Sequence, residues 1–187
     1  MAAMDDVVAE LRKEMDGTIV AMRREMARTR TGRASTALLE GITVEYYGTR
    51  TPLNQLASLS APEPRLLVIQ PYDRSALQEI ERAILQSDLG LVPQNDGKLI
   101  RVPIPELTEE RRRDLVKHVR KLAEEYRVSL RNHRRDANEL LKELQKDGEI
   151  TEDELRRAQE KTQDLTKEFG DRLDKVLKAK EDEIMEV

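Results

Sequence analysis

The chain has 187 residues, 37% of them charged and 38% hydrophobic, with a formal net charge of −4 and only four Tyr and one Phe as aromatics. That composition suits long, solvated amphipathic helices around an aliphatic core, and it argues against a base-stacking platform for single-stranded nucleic acid. The absence of cysteine excludes disulfides, thiolate metal sites and thiol nucleophiles, and no apolar run reaches the roughly 18 residues that span a bilayer.

The opening stretch, MAAMDDVVAELRKEM, lacks the basic segment followed by an apolar one that marks a secretory signal, so a cytoplasmic protein is expected. Residues 4–29 place Met4, Val8, Leu11, Met15, Ile19, Met22 and Met26 in steps of three and four, which predicts one helix with one apolar stripe. The pattern stops at Thr31-Gly32-Arg33-Ala34-Ser35, which is short, small and polar. Residues 42–47 (ITVEYY) are β-branched and aromatic and read as a strand, with Gly48 to Pro52 as a turn and 56–60 as a second strand. Residues 65–70 (RLLVIQ) form a stronger strand bounded by prolines. A helix is predicted over 75–87, with Leu77, Ile80, Ala83, Ile84 and Ser87 on one side and Asp73 as its N-cap. Asn95-Asp96-Gly97 signals a turn before a last strand at 98–102.

The helical period returns at 106. Thr108 is an N-cap with Glu109 and Glu110 in the first turn, where the helix dipole favours acid. The stripe runs Leu115, Val119, Leu122, Tyr126, Leu130, His133, Ala137, Leu140, Leu144, and no Pro or Gly interrupts 108–147. Such a helix is about 60 Å long at 1.5 Å per residue. Gly148 stops it, and Thr151 with Glu154 forms a T-x-x-E capping box flanked by Ile150 and Leu155 at the staple positions. A third stripe follows through Leu155, Ala158, Thr162, Leu165, Phe169, Leu173, Val176, Lys180 and Ile184. The connection is short, so the two long helices should run antiparallel, and helix 4–29 supplies the third face that covers their stripes. The expected fold is α+β. Residues 1–30 and 105–187 form a long antiparallel three-helix bundle, and residues 31–104 form an inserted small β/α/β domain. Two linkers join them, Thr31, Gly32, Arg33 and Ala34 on one side and Pro103, Ile104 and Pro105 on the other, and these are expected to act as a hinge.

Charge is distributed unevenly. Residues 111–135 carry ten basic side chains against three acids, whereas residues 136–187 carry ten basic against seventeen acidic. Lys117, Arg120, Arg127, Arg131 and Arg134 fall in steps of 3, 7, 4 and 3, and the last four each follow a member of the apolar stripe. The row is therefore turned about 100° from the core face and runs along one side of the helix. Arginine matches phosphate in planar, bidentate fashion, so backbone contact with structured RNA is the leading reading. The bland alternative is a solvated face paired with acids of the neighbouring helix. Signals for catalysis are weak. His118 and His133 lie fifteen apart, too far for an i,i+4 metal pair, and no phosphate-cradling glycine motif is present. Neither an enzyme, nor a cofactor, nor a metal site is expected. A coiled-coil scaffold or holdase, and a general double-stranded-RNA-binding module, are the other two classes; neither gives the folded insertion a purpose.

Four separated segments resemble bacterial ribosome recycling factors: Arg30-Thr31-Gly32-Arg33-Ala34, Val44-Glu45-Tyr46-Tyr47-Gly48, Leu107-Thr108-Glu109-Glu110-Arg111-Arg112, and Arg131-Asn132-His133-Arg134-Arg135-Asp136-Ala137-Asn138. The resemblance covers essentially the whole chain. It implies a three-helix bundle and inserted domain arranged as an L with a tRNA-like outline. It also implies a non-catalytic translation factor that, with elongation factor G and GTP, splits post-termination 70S ribosomes and releases them from mRNA. Carried over by motif, Arg131 and Arg134 are the first candidates for large-subunit rRNA contact, followed by Arg127, Arg135 and Arg30. Arg30 has an alternative role as a structural partner of the Asp136 region. The acidic third helix is expected to face away from RNA. A monomer with no membrane partner is expected.

Overall fold

The computed structural model describes residues 2–186; residues 1 and 187, which the expected bundle includes, lie outside the described residues. The elements are α1 (Ala2–Arg28), β1 (Thr43–Tyr46), β2 (Thr49–Pro52), α2 (Leu53–Leu56), β3 (Ala57–Glu63), β4 (Leu66–Pro71), α3 (Leu77–Gln86), β5 (Gln94–Asn95), β6 (Ile100–Pro103), α4 (Glu109–Lys146) and α5 (Glu152–Met185). The fold is α+β, with long antiparallel helices and a small antiparallel sheet. The chain divides into two compact units, one made of residues up to Arg24 together with those from Arg113 onward, the other Glu25–Arg112.

In the helical unit, the α1 stripe is buried at Met4, Leu11, Met15, Ile19 and Met22. Facing it are Leu115, Val119, Leu122, Leu130 and Ala137 of α4 and Ala158, Leu165, Phe169, Leu173 and Ile184 of α5, all buried. Phe169 is the largest fully buried side chain. The Arg172 guanidinium lies 4.6 Å from its ring centroid and that of Arg12 5.7 Å. Arg12 donates to Glu168 at 3.2 and 3.0 Å, and Arg172 bridges Glu168 and Asp16, so α1 and α5 are clasped over the phenyl ring. One expected core residue is misplaced: Leu141 is fully buried, and Leu140 is 52% exposed. Steps of three or four from Ala137 are both helical, and the helix takes the four-residue step.

The α4–α5 turn follows its sequence signals closely. Gly148 has φ +77°, the N–H of Gly148 donates to Gln145 O, and that of Glu149 reaches back to Leu144 O at 2.9 Å. These bonds satisfy the last carbonyls of α4 in a Schellman arrangement. Thr151 Oγ1 accepts from Glu154 N at 3.2 Å while Glu154 Oε2 accepts from Thr151 N at 2.8 Å, completing the capping box. Ile150 is buried in a cluster with Met4, Leu141 and Ala158.

The second unit holds a four-stranded antiparallel sheet in the order β3-β4-β6-β5 and a separate hairpin, β1-β2. Its core gathers Val44, Leu67, Ile69, Ile100 and Val102 from strands with Ile80 and Ile84 from α3. The segment read as a turn, Gly48 to Pro52, is mostly the strand β2. The reversal is confined to Tyr47 (φ +48°) and Gly48 (φ +74°), and two consecutive positive φ angles are what a two-residue hairpin turn of matching twist requires. Asp73 caps a short 3-10 turn, Arg74–Ala76, that leads into α3, and its carboxylate also accepts from Tyr46 Oη at 2.7 Å.

Candidate nucleic-acid interface

The cation row runs along α4 beside α5. Three polar pairs tie the row to α5: Arg120 with Glu181, Arg127 with Asp174, and Arg134 Nη1 with Gln163 Oε1 at 2.7 Å. The numbers rise on one helix as they fall on the other, as antiparallel neighbours require. Gln163, Asp174 and Glu181 are 11 and 7 residues apart and therefore share a face of α5.

These partners sort the five expected RNA contacts. Arg127 is the most engaged. It donates to Glu124 at 2.8 Å on its own helix and to Asp174 across the groove, and its side chain is one-third exposed. Arg131 reaches Glu124 Oε1 at 3.0 Å and is 54% exposed. Glu124 thus serves two guanidiniums, and the Arg127 hydrogen bond foremost, with Arg131 behind it, holds its carboxyl below the ordinary range. Arg134 has a neutral amide for a partner, so its charge is not offset within that contact. Arg135 is two-thirds exposed, with Nε 3.6 Å from the adjacent Asp136. Arg30 belongs to the other unit, and its Nε is enclosed without a hydrogen-bond partner among the described residues.

Two acids of α5, Asp174 and Glu181, lean onto the row and pair with Arg127 and Arg120, because antiparallel packing brings the two faces together. Arg120 and Arg127, in the N-terminal half of the row, thus have the acid partners that the bland reading describes. Among the described residues, Arg131, Arg134 and Arg135 form a stretch with no ion pair to a carboxylate of α5. Glu124 was legible as i,i+3 and i,i+7 to its two arginines; Gln163, Asp174 and Glu181 depend on interhelical register. His133 packs toward α1, with Nε2 3.2 Å from Thr18 Oγ1 and Nδ1 3.3 Å from Glu14 Oε2.

At the expected linkers, Gly32 has φ +81°, and a Cβ there would meet Leu107 Cγ at 3.3 Å. Ala34 N donates to Pro64 O at 2.7 Å, and Ile104 N donates to Arg65 O at 2.8 Å. Pro103 closes β6 and Ile104 is buried in the sheet-unit core. Residues 104–108 have no regular structure.

Fold and site together define a class of α+β proteins: the chain leaves a long-helix unit, builds a small antiparallel-sheet unit, and returns to complete the helices, one of which carries the cation row. The profile described as Ribosome recycling factor matches residues 22–185. The ribosome-recycling factor of Halalkalibacterium halodurans is 58% identical over 182 residues, covering 97% of this chain and 98% of the relative, and that of Bacillus subtilis is 56% identical over the same length and shares. A solution structure of the ribosome recycling factor covers all of both chains with a TM-score of 0.80 at 45% identity. A second structure, giving models for the T. thermophilus ribosome recycling factor and the E. coli elongation factor G bound to the E. coli post-termination complex, has a TM-score of 0.68 at 47% identity and covers 98% of this chain and 99% of that one. The chain belongs to the ribosome recycling factor family.

Proposed function

We propose that this protein acts in the cytoplasm as a monomeric translation factor, not an enzyme. With elongation factor G and GTP it splits post-termination 70S ribosomes into subunits and releases them from mRNA. Nucleotide chemistry belongs to the partner, and this chain needs no cofactor of its own. It docks on large-subunit rRNA through α4. Arg131 and Arg134 are the main phosphate contacts, with Arg135 beside them and Arg127 and Arg30 in support. The observation that carries the docking face is the charge imbalance at this end of the row, where α5 presents Gln163 opposite Arg134 rather than an acid. Family membership over nearly the whole chain, and the relative bound with elongation factor G to a post-termination complex, support the partners. The segments around Thr31, Gly32, Arg33 and Ala34 and around Pro103, Ile104 and Pro105 serve as the hinge. Ala34 and Ile104 are tied to the β3–β4 loop, so rotation concentrates next to those ties, at 29–32 and 105–108.

The test is sedimentation of post-termination ribosomes with this protein, elongation factor G and GTP, each omitted in turn. Subunits should appear only in the complete mixture; subunits without the GTPase, or intact ribosomes in the complete mixture, contradict the reading. In the same series, Arg134→Ala should weaken binding to large subunits and reduce the salt slope by about one, the share of a single phosphate contact. An unchanged affinity and slope would place the docking face elsewhere.

A further inference from the structure

We infer that the groove between α1 and α4, on the side of α4 away from the arginine row, is a second docking surface that takes a cationic segment of a protein carrying an aliphatic anchor. The groove encloses about 280 Å³. Its floor is apolar, built from Val7 and Leu11 of α1 and Ala137 and Leu140 of α4. Its rim is acidic, with Asp6, Glu10 and Glu14 on one helix and Asp136 on the other. Leu140 is half exposed here although it lies one position from the fully buried Leu141. A single exposed leucine is ordinary; a leucine at the floor of a carboxylate-edged groove is a place for a partner's side chain.

The basic side chains nearest the rim do not close it. Lys13 lies 3.5 Å from Glu10 with both side chains largely exposed, Arg135 lies 3.6 Å from Asp136, and His133 turns to Glu14 from within the helix contact. The exposed Lys13 and Arg135 pairs contribute little to stability, so an incoming lysine or arginine exchanges with them at little cost. Charge complementarity selects the occupant. Phosphate is repelled by the four carboxylates, and a second copy docking through the same surface would set its own acid rim against this one. The inference does not rest on the ribosomal reading.

The test uses the full chain, isotope-labelled, with three capped helical peptides as probes: one of leucine and lysine, one of leucine and glutamate, one of alanine and lysine. The leucine–lysine peptide should shift the resonances of Val7, Leu11, Ala137 and Leu140. The other two should bind at least tenfold more weakly. The double reversal Glu10→Lys with Asp136→Lys should lose the leucine–lysine peptide by tenfold or more and gain the leucine–glutamate one. Leu140→Ser, at an exposed position where folding is preserved, should weaken the leucine–lysine peptide alone. Equal binding of the alanine–lysine peptide, shifts centred elsewhere, concentration-dependent self-association through these residues, or binding of duplex RNA in the groove would each overturn the inference.

Discussion

Tyr46 shows how one side chain couples two parts of the sheet unit. Its hydroxyl donates to Asp73, the residue that caps the turn before α3, while its ring meets Tyr47 edge-on with centroids 4.5 Å apart. The Asp73 carboxylate accepts this hydrogen bond and raises the Tyr46 pKa from 10 to about 12, and the same bond lowers that of Asp73. The Tyr46 value lies above the unfolded one and the Asp73 value below it, so the contact contributes fully between about pH 4 and pH 10, is lost as pH rises through about 12, and weakens in acid as Asp73 takes up a proton. Ultraviolet titration of the phenolates should contain a phase near pH 12 that disappears in Tyr46→Phe and moves toward 10 in Asp73→Asn. A profile indifferent to Asp73→Asn would remove the carboxylate as the cause.

Among the elements, the turn from β5 to β6 gathers three side-chain hydrogen bonds on one acid. Asp96 Oδ1 accepts from Lys98 N and Leu99 N, both at 2.9 Å, and Oδ2 accepts from Arg101 at 2.6 Å. The two backbone donors first, then Arg101, lower its pKa from 3.8 to about 2. A depressed carboxylate stabilises above its unfolded pKa and loses that contribution as pH falls through the folded one, here between about 4 and about 2. Amides 98 and 99 should therefore lose exchange protection across that window in the wild type. In Asp96→Asn their protection should start lower and stay flat, with the two proteins converging below pH 2. Parallel profiles would mean the carboxylate is not what holds the turn. Elements with strong local signals were legible in sequence: the three long helices, the Thr151–Glu154 box, the Gly148 stop. The hairpin was read too short because a turn with Tyr at its first position carries no glycine pair to announce it. The exchange of Leu140 for Leu141 lies within helical periodicity, and only packing against α1 and α5 decides it. The arginine row was legible as a face, but the acids that offset half of it were not, because the pairing of 127 with 174 is a property of two helices in register.

For the whole molecule, the order of the chain separates what packing joins. Thr18 meets His133 and Arg12 meets Glu168, partners 115 and 156 residues apart. Elements α4 and α5 are joined by a tight turn and can pair locally, whereas α1 must wait for both and close a long loop. During synthesis α1 is made before α4 and α5. At about 5–20 residues per second its methionine-rich stripe stays uncovered for on the order of ten seconds before α5 leaves the exit tunnel. Nascent chains arrested before α4 should be cut by protease within α1, and chains extended past residue 187 should not; protection of the short chains would mean that α1 finds cover of another kind. Charged side chains outside the core stripe keep such a helix solvated through that interval, and α1, with Asp5, Asp6, Glu10, Arg12, Lys13, Glu14 and Asp16 around its stripe, is dressed for waiting.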